Sequence, residues 1–246
     1  MEWKFTFAEE GVASQLYPSL SYAAVIGTLL FLRSKSLLPN GKEFQQKLSK
    51  IIYTHNICLS LFSFLMAVVM VYETVIDGRY NSWYDLACRV TPNTGLYGLV
   101  NYAFLWSKVW EYLDTVFLIL KRRQVIPLHL WHHFTTFTMA AVSINFPVGA
   151  LMHINCWIHT VMYLHFAHPR KEFRQLITTL QLTQFVVVIT VHLYTLFSDC
   201  HPSNALFWEY WFDLIVVGSY LVMFAQFYVR EYFTPKPTRT EKPKAQ

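Results

Sequence analysis

Residues 125–146 read Val125-Ile126-Pro127-Leu128-His129-Leu130-Trp131-His132-His133-Phe134-Thr135-Thr136-Phe137-Thr138-Met139-Ala140-Ala141-Val142-Ser143-Ile144-Asn145-Phe146. The stretch carries no Asp, Glu, Lys or Arg. About 20 apolar residues suffice to cross a hydrocarbon layer of ~30 Å, so it reads as a membrane-crossing helix. Pro127 suits the first turn of that helix, where a missing N–H costs nothing. Positions i, i+3 and i+4 share one helical face, which turns His129, His132 and His133 toward a single pocket. A lone histidine in such a run is ordinarily a satisfied core residue. Three at this spacing point to chemistry, because ionisable groups within a membrane segment are costly and mark function.

Outward from this run the whole chain has the same character. It has 246 residues, 54% of them hydrophobic and only 14% charged, against about 25% charged in a soluble domain. Seven apolar stretches are long enough to span a bilayer, at about residues 14–32, 51–73, 98–120, 125–146, 148–167, 175–197 and 206–230. The expected fold is therefore an all-α integral membrane protein of seven transmembrane helices, with helices two to seven enclosing a substrate tunnel. Residues 1–235 read as one seven-span domain, and residues 236–246 as a disordered basic tail. Residues 37–50 read as a turn followed by a short polar helix. The first dozen residues carry Glu2, Glu9 and Glu10 where a signal peptide would be basic, so the first span is expected to direct its own insertion.

Loop charge sets the orientation. Sixteen of the 20 Lys and Arg fall on the side holding residues 33–50, 121–123, 170–174 and the C-terminal tail; three, Lys4, Arg79 and Arg89, fall on the other. The positive-inside rule then puts the N-terminus in the lumen or exterior and the C-terminus in the cytosol. Cys88 and Cys200 both lie on the non-cytosolic side, where an oxidising compartment favours a disulfide between them. Lys242 and Lys244, three and five residues from the carboxyl end on the cytosolic side, resemble a KxKxx retrieval signal of the endoplasmic reticulum. Topology accounts for the net charge of +5, and no nucleic-acid partner is expected.

The third span holds Lys108, Glu111 and Asp114 along one face, with Lys108 and Glu111 as a local pair. The fifth brings Asn155, His159, Met162, Tyr163 and His165, and the sixth Thr178, Gln181 and Gln184. All sit in the cytosolic halves of their helices, while the luminal halves read as Val, Leu, Phe and Ile. This layout describes a polar chamber open to the cytosol that continues into an apolar tunnel, suited to a charged head on a long hydrocarbon tail.

Lys108-x-x-Glu111-x-x-Asp114-Thr115, His129-x-x-His132-His133, His159-x-x-Met162-Tyr163 and Thr178-x-x-Gln181-x-x-Gln184, in this order, resemble the four signature motifs of the ELO family of very-long-chain fatty acid elongases. The resemblance covers roughly residues 50–235. It implies a membrane acyltransferase of the endoplasmic reticulum, a 3-ketoacyl-CoA synthase that condenses a long-chain acyl-CoA with malonyl-CoA and releases CoA and carbon dioxide. No cofactor is implied beyond these two substrates. Partners would be the bilayer, the two CoA thioesters and the other enzymes of the elongation cycle, with room for an oligomer. The family's third motif usually continues Met-Tyr-x-Tyr-Tyr; here it is Met162-Tyr163-Leu164-His165-Phe166, with two phenols lost and an imidazole gained.

Condensation needs a holder for the acyl group and donors for two oxyanions. A neutral imidazole can attack a thioester and form an acyl-imidazole. His132 is the expected nucleophile, with His159 orienting or protonating across the chamber and His129 and His133 donating to carbonyl oxygens. Asp114 is expected to fix an imidazole tautomer. Lys108, Glu111, Thr115, Asn155, Tyr163, Gln181 and Gln184 are expected to contact substrate. Lys121, Arg122, Arg123, Arg170, Lys171 and Arg174 flank the mouth and could clamp the CoA phosphates or merely set topology. Two other classes share parts of the pattern. A membrane di-iron desaturase or hydroxylase also uses HxxHH boxes, but only one box is present and no metal is expected; a seven-span receptor or transporter leaves the histidine cluster unexplained.

Overall fold

The computed structural model describes residues 12–76, 82–89, 94–143, 151–198, 200 and 207–234. The tail with Lys242 and Lys244 lies outside the described residues. Among those described the protein is all-helical: α1 (Val12–Ser34), α2 (Lys42–Val71), α3 (Trp83–Cys88), α4 (Gly95–Leu120), α5 (Pro127–Ser143), α6 (Met152–Ala167), α7 (Lys171–Phe197) and α8 (Phe207–Tyr232), with one π-helical turn, Tyr72–Ile76, closing α2.

Among the described residues there are eight α-helices, because besides those on the seven apolar stretches a short helix, α3, forms in the connection between the second and third; Ser82 nucleates it by accepting the Asp85 N–H at 3.0 Å. One expectation is corrected: the polar segment before the second span is no separate helix. From Lys42 it runs unbroken into α2, since no Gly or Pro interrupts it.

By length and composition four segments can cross a membrane, Leu16–Ser34, Lys42–Thr74, Lys171–Phe197 and Tyr210–Tyr232, and the protein is a multi-pass membrane protein. Large apolar side chains such as Leu61, Leu65, Leu99, Trp110, Ile215 and Val222 point outward. Lipid can cover such a surface and water cannot.

The helices pack as a closed ring. α2 lies against α4 and α6, α6 against α7, α7 against α8, α8 against α5, and α5 against α4. α1 stands outside the ring on α4 and α5. Its Tyr22 and Ile26 join Met66, Met70, Phe104, Leu105, Ile119 and Phe137 in one buried cluster. At one end of the molecule the α1 and α4 termini are clasped together. Arg122 adopts φ 53°, which lets the Arg123 and Arg122 N–H groups return to the carbonyls of Leu118 and Ile119 at 2.9 and 3.0 Å, a Schellman closure usually left to glycine. Arg33 donates to the Arg123 and Arg122 carbonyls at 2.7 and 3.2 Å.

At the other end Cys88, the last residue of α3, is disulfide-bonded to Cys200 just beyond α7, across 112 residues of chain, and Thr195 Oγ1 donates to the Ala87 carbonyl beside it. Cross-links closing long loops typically stabilise by about 2–4 kcal/mol. Cys88→Ser is therefore expected to lower the thermal midpoint by several degrees in detergent, and reduction of the wild type should reproduce the loss; unchanged melting in both would contradict it.

Candidate functional site

The six ring helices enclose a cavity of about 700 Å³, and His129, His132 and His133 all line it. α5 delivers them as its first two turns, with Pro127 at its first position. The rings are mutually close: centroids lie 4.3 Å apart for His129 and His133 and 5.4 Å apart for His132 and His133. The His132 ring rests on Tyr220 and Phe224 of α8 at 4.9 and 6.0 Å. No hydrogen bond to its imidazole forms among the described residues, so its lone pair is uncommitted.

Opposite, α4 supplies a buried ionic network. Lys108 Nζ donates to Glu111 Oε1 at 2.8 Å and to Asn155 Oδ1 at 3.0 Å, and His159 Nδ1 lies 3.2 Å from the same carboxylate oxygen. Asn155 in turn donates to Gln184 Oε1 at 3.4 Å. Lys108 and Glu111 are only 3% and 2% exposed, so the loss of either would leave the other buried without its opposite charge. A carboxylate oxygen can only accept, so the Glu111 carboxylate favours an N–H at His159 Nδ1.

Asp114 is also on the cavity wall. Its partners are His55 Nε2 at 3.0 Å and the Tyr163 hydroxyl at 2.7 Å. The imidazole beside it is that of His55 on α2. Thr115 is fully buried and absent from the cavity wall; it bonds His129 Nε2 at 2.9 Å. Tyr163, Asn155, Gln181 and Gln184 do line the cavity, and so do His165 and Phe166, the two departures from the usual third motif. His165 Nδ1 accepts the Arg170 N–H at 3.4 Å. Two buried atoms on the wall, Glu111 Oε2 and His133 Nδ1, find no partner among the described residues, which marks them for a polar group of a ligand or for water.

The basic residues divide. Lys121 and Arg123 reach the wall, yet Lys121 also donates to the Gln45 carbonyl at 2.9 Å and Arg122 to the Leu38 carbonyl at 3.2 Å. Arg174 pairs with Glu231 at 3.3 Å on the surface, and Arg170 and Lys171 are not on the wall. Among the described residues no group of three or more His, Cys, Asp or Glu is arranged to hold a metal.

A second, smaller cavity of about 70 Å³ shares His132, Asn155, Gln184 and Phe185 with the first and runs to His192, Asp213 and Ser143. Asp213 accepts from His192 Nε2 at 2.6 Å and from Ser143 at 2.8 Å; the Tyr210 hydroxyl donates to the His192 carbonyl. This corrects the expected all-apolar far half. His55, Asn56, Tyr22 and the His192–Asp213 pair were not singled out by sequence; His55, Tyr22 and the His192–Asp213 pair find their side-chain partners on another helix, which no spacing along the chain announces.

The sequence matches the ELO (GNS1/SUR4) family over residues 12–240. It is 30% identical to fatty acid elongase A of Dictyostelium discoideum over 87% of this chain and 81% of that protein. It is 28% identical to very long chain fatty acid elongase 4 of Mus musculus over 98% and 81%, and 30% identical to long chain fatty acid elongase 2 of Caenorhabditis elegans over 91% and 87%.

Proposed function

The chain belongs to the ELO (GNS1/SUR4) family, and from that premise we propose that it is a very-long-chain fatty acid elongase, a 3-ketoacyl-CoA synthase joining an acyl-CoA to malonyl-CoA. The observation that carries the reading is that His132, whose imidazole has no hydrogen-bond partner among the described residues, and His159, beside the Glu111 carboxylate, line one cavity.

In this reading His132 attacks the thioester carbonyl, the C–S bond breaks, and the imidazole proton travels through His159 Nε2 to the departing CoA thiolate. Malonyl-CoA then loses carbon dioxide. The electron pair of the broken C–C bond becomes an enolate, which attacks the acyl-imidazole; the C–N bond breaks, and His132 recovers a proton from solvent through His159. His129 and His133 donate to the carbonyl oxygens, and the Lys108–Glu111 pair holds His159 and Asn155 in place. Asp114 anchors Tyr163 and His55. The chemistry as written uses no cofactor.

We assign α4, α5 and α6 as membrane crossings too, seven with the four segments named above. α4 owes its charge to residues buried and bonded to one another. α5 and α6, at 17 and 16 residues, stop at the undescribed residues 144–150. The Lys and Arg distribution supports a luminal N-terminus and a cytosolic mouth at Lys121 and Arg123.

Purified protein given radiolabelled acyl-CoA should form a labelled 3-ketoacyl product only when malonyl-CoA is present; no product two carbons longer would overturn the reading. With acyl-CoA alone, mass spectrometry should find an acyl adduct on the peptide bearing His132. An unmodified yet fully active enzyme would replace the covalent step by direct attack.

A further inference from the structure

We infer that Asn56, on α2, is a substrate-binding residue that hydrogen-bonds the amide nearest sulfur in the pantetheine arm of the CoA thioester. The inference rests on the elongase reading. Asn56 is 5% exposed and lines the cavity, yet its side-chain amide forms no hydrogen bond among the described residues. Two polar neighbours on α2 are committed to other helices, His55 to Asp114 at 3.0 Å and Ser60 to the Thr160 carbonyl at 2.8 Å. A buried amide needs a partner, and this one can find it only in what enters the cavity.

Its depth says which part of the substrate it meets. His55 bonds Asp114 of α4, which also accepts from Tyr163 of α6, and Thr115 bonds His129 of α5; Asn56 shares a layer with these residues. The reacting histidines lie one turn further in. Along α4 Glu111 precedes Asp114 by three residues, along α6 His159 precedes Tyr163 by four, and along α5 His132 follows His129 by three; Glu111 and His159 meet at 3.2 Å. In the other direction α4 leads to Lys121, also on the wall. A substrate with its thioester carbon at His132 and its phosphates toward Lys121 therefore presents to Asn56 whatever lies one helical turn, ~5.4 Å, from that carbon. In an acyl-CoA this is a secondary amide, whose nitrogen is four bonds from the thioester carbon. Such an amide offers one N–H and one carbonyl, and the Asn56 side chain carries an acceptor and two donors to match them. The acyl chain, running the other way from the carbonyl, has no group to offer it.

Asn56→Leu keeps the volume and removes both hydrogen-bonding groups. It is expected to raise KM for acyl-CoA about tenfold and to leave kcat within about twofold, since the contact is the same before and during reaction. The deciding comparison pairs acyl-CoA with an analogue in which –CH2–CH2– replaces the –NH–CO– nearest sulfur, each extended with saturating malonyl-CoA. The ratio of kcat/KM for the two donors should be about tenfold larger in the wild type than in Asn56→Leu. Each ratio is taken within one preparation and so does not depend on how much of the variant folds. Asn56→Ala should narrow the ratio in the same way. Ser60→Ala, which breaks another buried contact of α2, should keep the wild-type ratio. Ratios that agree within about twofold in the wild type and both Asn56 variants would overturn the inference. Loss of all turnover in both variants with normal melting would overturn it too, by putting Asn56 in the reaction itself. A wild type that cannot extend acyl-CoA sinks the elongase reading and this inference with it, whereas one that extends acyl-CoA with unchanged ratios sinks the inference alone.

Discussion

His132→Ala is expected to lower condensation by about 10³-fold or more, while KM for acyl-CoA stays within a few-fold. The ring lies against His133, Tyr220 and Phe224 and forms no hydrogen bond among the described residues, so its removal takes the nucleophile and strands no polar partner. The protein should be made in normal amounts and melt near the wild-type temperature. His159→Ala should fall nearly as far, since it deletes the group through which the thiolate's proton passes, and the double variant should be no worse than either single one. Such non-additivity is the signature of residues acting as one unit. Steady-state assays with both CoA substrates, read beside a melting curve, decide it. A variant lacking His132 that kept a tenth of the activity would show that the acyl group is never held there.

The second large effect is on stability. Asp213→Ala is expected to cost about 3–5 kcal/mol, because it strands an imidazole that is 1% exposed between α7 and α8. In a chain of this size that corresponds to roughly 10 °C in thermal midpoint. His192 donates through Nε2 to Asp213 and bonds the Val188 carbonyl through Nδ1 at 2.9 Å; with the carboxylate gone, the first of these groups has no partner. Replacing both residues by leucine should recover most of the loss, since a matched apolar pair avoids the desolvation of both groups. Tryptophan fluorescence during heating would register the difference. A single variant within about 0.5 kcal/mol of the wild type would mean that the pair is solvated or replaceable.

Reading the sequence located the long helices to within a few residues wherever hydropathy is continuous, and it found the histidine triplet and the Lys108–Glu111 pair because their partners lie on the same helix at fixed spacing. Cross-helix partnerships were hidden. His55 sits in the short polar run Thr54-His55-Asn56 of α2, and nothing at i±3 or i±4 tells that Asp114 will claim it. Tyr22 looks like a lipid-facing aromatic until α1 is packed on α4. The left-handed turn at Arg122 was equally invisible, because arginine carries no such preference and tertiary bonds enforce it. α3 is too short to generate a periodic signal.

The narrow chamber beyond His132 carries one more implication. At about 70 Å³ it has room for only a few waters, far less than a long hydrocarbon tail. Under the elongase reading, a tail that outruns the 700 Å³ cavity and enters this chamber must prise α7 and α8 away from α5, so the bundle swells with such a substrate and relaxes on release. Amides at the edges of those helices should then exchange with deuterium faster in the loaded protein, and stiffer lipid around the bundle should slow the catalytic cycle without touching its chemistry.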